Sequence, residues 1–197
     1  MIRRFLAAAV LALAFLAPLH AATPTFDATA RNPPPSVALS AFDRIEVAPL
    51  ALAEGLDAHK GNVIAQRYLQ VDLDERLRKR IDAHNAAAGD APGRTLVVTP
   101  EITAVRFITG GKRLLFGGFG GKSWAVLTLR LADKATGEVI AEPRFEQRAF
   151  GIFGGYSLGA SDKLMLARLA DMAAAYLVDN TEAPVGGAVA VSTRAMD

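Results

Sequence analysis

Residues 123–150 read SWAVLTLRLADKATGEVIAEPRFEQRAF. From Ser123 to Asp133, Ala125, Leu127, Leu129 and Leu131 alternate with Trp124, Val126, Thr128 and Arg130, which is the period of two of a β-strand. Asp133-Lys-Ala-Thr-Gly137 is a short hairpin turn. Glu138 to Phe150 is the returning strand. Glu142, Arg144, Glu146 and Arg148 alternate along it, as on a sheet face open to water. Pro143 has no N–H to give and predicts a bulge or an edge position.

The same periods extend outward from this hairpin. Residues 94–107 form a strand with Leu96, Val98 and Ile102 on one face, and Phe42 to Leu52 form another carrying Ile45 and Val47. From Asn62 to about Asn85 the period becomes helical, with an apolar stripe of Ile64, Tyr68, Leu73, Leu77 and Ile81. Ser161 predicts the N-cap of a second helix that runs to about Val178, its stripe being Met165, Leu169, Met172 and Tyr176. The order β-α-β-β-β-α predicts an α+β two-layer sandwich, a mostly antiparallel four-stranded sheet with two helices on one face.

The ends read differently. Arg3 and Arg4, an apolar run from Phe5 to Leu16, Pro18 and the small Ala21 and Ala22 have the order of a secretory signal peptide over residues 1–21, cleaved after Ala21. Residues 22–40, with prolines at 33–35, predict a disordered linker, and residues 180–197 a flexible tail. That leaves one domain over 41–179. There is no cysteine, which excludes disulfides and a lipid-modified cysteine. The expected product is a soluble periplasmic or secreted protein. The chain carries 22 basic and 20 acidic residues, and loss of Arg3 and Arg4 makes it neutral, so no overall field draws it to nucleic acid.

Two motifs come close to catalysis and stop short. Gly155-Tyr-Ser157-Leu-Gly159 matches a nucleophile elbow, yet His59 and His84 both precede it, whereas that hydrolase order needs a histidine after the serine. Phe116-Gly-Gly-Phe-Gly-Gly121-Lys122-Ser123 ends like a phosphate loop but lacks its first glycine and runs into a strand. No His or Cys cluster has metal-ligand spacing, and Asp82 and His84 point to different helix faces. No catalytic residue, metal or cofactor is expected.

The segment before the third strand and the one after the fourth should meet at one end of the sheet. They carry Lys112, Arg113, Phe116, Phe119, Lys122 and Trp124, then Phe150, Phe153 and Tyr156, among glycines. These side chains either close the end of the core or form a contact surface for a protein partner, a second copy or anionic lipid headgroups.

The run Gly110 to Ser123, continuing into Val126–Asp133 and Thr136–Ile140, resembles a bacterial exported family of unknown function, the domain of unknown function 4410, many members of which are lipoproteins. The resemblance implies an envelope protein with no assigned enzymatic activity. The topology is also similar to small α/β domains of periplasmic Tol-system and curli-secretion proteins. The expectation is a non-enzymatic periplasmic protein that binds an envelope protein or itself. Membrane-surface association through the same segments is the alternative, and a hydrolase using Ser157 the second.

Overall fold

The computed structural model describes residues 26–89, 93–107, 123–149 and 159–191. The expected signal peptide lies outside the described residues. Along the chain come β1 (Arg31–Asn32), β2 (Arg44–Val47), β3 (Ala51–Leu52), α1 (Lys60–Ala87), β4 (Thr95–Arg106), β5 (Trp124–Asp133), β6 (Val139–Ala141), β7 (Arg144–Arg148), α2 (Ala160–Asp179) and β8 (Gly187–Ala188).

Six of these strands form one mixed sheet, and the four-stranded, mostly antiparallel sheet expected from the sequence is corrected accordingly. β2 and β3 run parallel to β4, while β5 is antiparallel to β4, β6 and β7. The parallel pairing follows from α1: a helix placed between two neighbouring strands returns the chain to the end where the first strand began. The strand count rises because prolines break both outer strands. Three residues lie between Val47 and Ala51 but only two between their partners Val98 and Glu101, so the extra residue is absorbed around Pro49. Pro143 separates β6 from β7 and serves the sheet only as an acceptor, for the Leu129 N–H at 3.0 Å.

Both helices pack on one face of the sheet. Leu96, Val98 and Ile102 of β4, Ala125, Leu127, Leu129 and Leu131 of β5, and Phe145 of β7 meet Leu69, Leu73 and Leu77 of α1 and Met165, Leu169 and Tyr176 of α2 in one buried cluster. Each fully buried side chain of this size contributes about 1.5–3 kcal/mol. The stripe expected on α2 is the buried one. On α1 the phase shifts by one residue: Ala65 and Leu69 are buried, while Ile64 and Tyr68 remain 44% and 40% exposed. Residues 64/65 and 68/69 are both apolar pairs, so the period alone did not choose between them. The helices run parallel, Lys163 lying over the Tyr68 ring and Arg76 pairing with Asp171 two turns further along both. α2 begins at Ala160 with Gly159 as cap, and the carboxylate of Asp162 accepts the Gly159 N–H at 3.2 Å, so Ser161 is inside the helix and not its cap.

The segments expected to be linker and tail are part of the fold where they are described. Ser36 N–H donates to the Ile140 carbonyl, and Leu39 and Ser40 N–H to the Asn180 and Thr181 carbonyls. Leu39 is buried. After α2 the chain returns beside β7: Ala190 pairs in parallel with Glu146, and β8 pairs with β1. The prolines at 33–35 thus hold an extended strap whose carbonyls remain available, and the Pro33 carbonyl accepts the Tyr176 hydroxyl at 2.9 Å.

Burial pushes the Tyr176 hydroxyl from 10.0 up to about 12. Because the folded value is raised, its contribution is complete below 10 and disappears as pH rises through 12. The expected result is a stability decline in that window that is smaller in Tyr176→Phe, read from urea midpoints at each pH.

Candidate interaction surface

The far end of β4, the start of β5 and the end of β7 lie side by side. Arg106 pairs with Trp124 and Trp124 with Arg148, and Ala149 N–H donates to the Ser123 carbonyl at 2.8 Å. Residues 108–122 depart after Phe107 and return at Ser123, and residues 150–158 depart after Ala149. Their points of attachment are therefore at one end of the sheet. Of the nine residues expected to form the surface, only Trp124 is described. Lys112, Arg113, Phe116, Phe119, Lys122, Phe150, Phe153 and Tyr156 lie outside the described residues, as does Ser157.

Trp124 is 8% exposed and belongs to a small cluster on the face of the sheet opposite the helices, with Ala104 and Val126. A bulge between Ile102 and Ala104 turns Ala104 to that face, where it pairs with Val126. Phe26 covers the cluster, its ring edge-on to the indole with centroids 6.4 Å apart. The Arg148 guanidinium lies 3.7 Å from the Phe26 ring centroid. Trp124 is thus a packing residue, and its indole Nε1–H is buried with no acceptor among the described residues. Phe26 escaped the sequence reading because it falls in the presumed linker.

The face expected to be wet is only partly so. Arg144 and Arg148 are exposed, but Glu146 is buried, held by Arg144 at 2.9 Å and by the Phe26 N–H at 3.3 Å. Gln147 is buried on the helix side, with its Nε2 reaching the Met172 sulfur and the Val191 carbonyl.

The sheet edges are closed by side chains. Along β2 and the residue after it, the backbone of 44, 46 and 48 faces β4, so Ile45 turns its backbone outward, and Asn85 of α1 bonds both its N–H (2.8 Å) and its carbonyl (3.0 Å). Gln70 and Gln66 do the same for Leu50, each at 2.6 Å. His84 Nε2 donates to the Phe42 carbonyl at 2.8 Å, which makes it structural. On the other side the Asn32 amide bonds the N–H and carbonyl of Arg144. A helix and side-chain amides thus occupy positions that a further strand would use.

Elsewhere a 230 Å³ cleft between α1 and β2 has Leu73, Leu77 and Pro100 among its lining and Asp74, Arg78 and Asp82 on α1. Arg78 and Asp74 lie 3.6 Å apart there. Among the described residues no three His, Cys, Asp or Glu side chains stand close enough to hold a metal ion, and no helix is long and apolar enough to cross a membrane.

No family model matches the chain, that of the domain of unknown function 4410 included, and no curated protein matches it. Among solved structures, the PelC dodecamer from Paraburkholderia phytofirmans is 18% identical, over 68% of this chain and 90% of that one, with a TM-score of 0.40. A Xanthomonas campestris protein of the DUF330 family is 11% identical, over 77% of this chain and 92% of that one, with a TM-score of 0.40.

Proposed function

We propose that this chain is an exported, non-enzymatic binding protein of the bacterial envelope, and that its contact surface is the end of the sheet from which residues 108–122 and 150–158 depart. The observation that carries this reading is the Arg106–Trp124–Arg148 register, which ties the attachment points of both glycine-aromatic segments together. The closed edges support it, because partners cannot readily add a strand to β2 or β7. The order of charge, apolar run and small residues over 1–21 supports export. The partner is another envelope component or a second copy.

The test replaces Phe119 and Phe153 by Ser together. Loss of a partner captured from envelope extract, or loss of self-association by light scattering, is the expected result. Unchanged partners and unchanged oligomeric state in the double variant would remove this surface from consideration.

A further inference from the structure

Of the large apolar side chains left exposed among the described residues, Ile64, Tyr68 and Val71 alone stand on successive turns of one helix. They are 44%, 40% and 54% exposed, although α1 already buries a full stripe through Ala65, Leu69, Leu73 and Leu77. At 3.6 residues per turn the three lie within about 60° of one another, on the side of α1 turned away from the sheet. The Lys163 ammonium lies 4.6 Å from the Tyr68 ring centroid, and Leu164, the next residue of α2, is itself 50% exposed. Single apolar residues on a surface need no explanation, but a contiguous stripe marks a contact.

The charges along this stripe are placed symmetrically about its middle. Lys60 precedes Ile64 by four residues and Glu75 follows Val71 by four, so both continue the same face of the helix. Lys60, Arg67 and Glu75 are exposed. The ion pairs of α1 among the described residues use Arg76 with Asp72 and Asp171, and Arg78 with Asp74, which leaves these three unpaired. Turned end for end about an axis between Arg67 and Tyr68, the pattern matches itself. Ile64 then meets Val71 of a second copy, Lys60 meets its Glu75, and Arg67 meets its Tyr68 ring. A twofold contact makes each such pair twice. An anionic lipid surface would favour Lys60 and Arg67 but repel Glu75, and an unrelated partner gives no reason for the spacing to be symmetric.

We propose that the outer face of α1 is the contact of a twofold dimer, in which Ile64, Tyr68 and Val71 of two copies pack antiparallel and Lys60 pairs with Glu75 at both ends. This is a second surface, apart from the end of the sheet, and neither reading needs the other.

Sedimentation of the purified protein across micromolar concentrations is expected to show a monomer–dimer equilibrium. Val71→Gln should raise the dissociation constant roughly 30-fold, because the lost apolar contact occurs twice in the dimer. Its far-UV circular dichroism should not change, since Val71 is 54% exposed. Lys60→Glu or Glu75→Lys alone sets like charges against each other at both ends and should weaken the dimer roughly 5-fold. The two together rebuild both pairs and should return the parent value, a rescue that a purely structural role for either residue would not produce. Should Val71→Gln disturb the fold, this charge exchange carries the test. A monomer throughout the range, a dimer that none of the single variants weakens, or a charge exchange without recovery would overturn the proposal. Association lost in the Phe119→Ser, Phe153→Ser variant but kept in Val71→Gln would also overturn it, and would leave the contact surface at the end of the sheet standing.

Discussion

Asn180→Leu is expected to lower the unfolding free energy by about 3–5 kcal/mol, one of the largest losses any single substitution in this chain should produce. Asn180 caps α2 and is wholly buried. Its Nδ2 donates to the carbonyls of Tyr176 (2.7 Å) and Gly186 (3.0 Å), and its Oδ1 accepts the N–H groups of Val185 (2.7 Å) and Gly186 (2.8 Å). Leucine has the volume but none of the polar atoms, so two N–H donors at Val185 and Gly186 are stranded. Each buried group left without a partner costs about 1–3 kcal/mol. Gly186 cannot easily move to find another partner. Its φ of +77° suits glycine, and a side chain there would run into the Asn32 carbonyl. The turn also delivers β8 to β1 and residues 189–190 to β7, so its loss should open that edge and promote aggregation. Urea denaturation of the two proteins checks the prediction, and a difference below about 1 kcal/mol would show that the amide is replaceable.

Asn180 also shows where the sequence stops being informative. Strand alternation in β4 and β5, the α2 stripe and the Asp133 turn were all legible, because each depends on residues close together in the chain. The turn formed as its residues require: Asp133 Oδ1 accepts the N–H of Ala135 at 2.8 Å and of Thr136 at 3.3 Å, and Gly137 takes a φ of +73°. Its other oxygen binds Arg94 at 2.8 Å, and this partner holds the carboxyl below its usual range. Asn32 and Asn85 instead bond backbone on distant elements, and Asn180 ties the end of α2 to the turn at residues 185–186. Nothing in a hydrophobic period marks them, and without them 26–40 and 180–191 read as linker and tail. The parallel pairing of β2 with β4 was hidden for a related reason. It is set by where α1 returns the chain, not by the composition of either strand.

The candidate surface was legible as a place and less so as a set of residues. Antiparallel pairing of β5 with β7 follows from the hairpin, and it alone brings Ser123 to Ala149. Trp124 was expected either to close the end of the core or to join a contact surface, and the bulge at Ile102/Ala104 and the distant Phe26 bury it. Sequence spacing could not reveal Phe26, which is nearly a hundred residues from Trp124.

Phe145→Ala is expected to cost about 3–5 kcal/mol. That is a large part of the roughly 5–15 kcal/mol that keeps a domain of this size folded. Phe145 is wholly buried on the core face of β7, directly across from Leu127. Its ring meets Tyr176 edge to face, with centroids 6.1 Å apart at 71°. This contact fastens α2 to the sheet, so alanine would remove the aromatic pair and leave a cavity between the layers. Phe145→Leu keeps most of the volume and should cost only about 1.5 kcal/mol. The consequence reaches the contact surface because β7 carries Arg148 at its end and runs directly into residues 150–158. If one cluster holds both layers, Trp124 emission and far-UV circular dichroism should report the same shifted midpoint in Phe145→Ala. Emission that melts first would show that the Phe26–Trp124 cluster opens separately from the core. A loss of less than about 1.5 kcal/mol in Phe145→Ala would mean that the layers close over the vacated space, and the joint between α2 and β7 would then have to lie elsewhere.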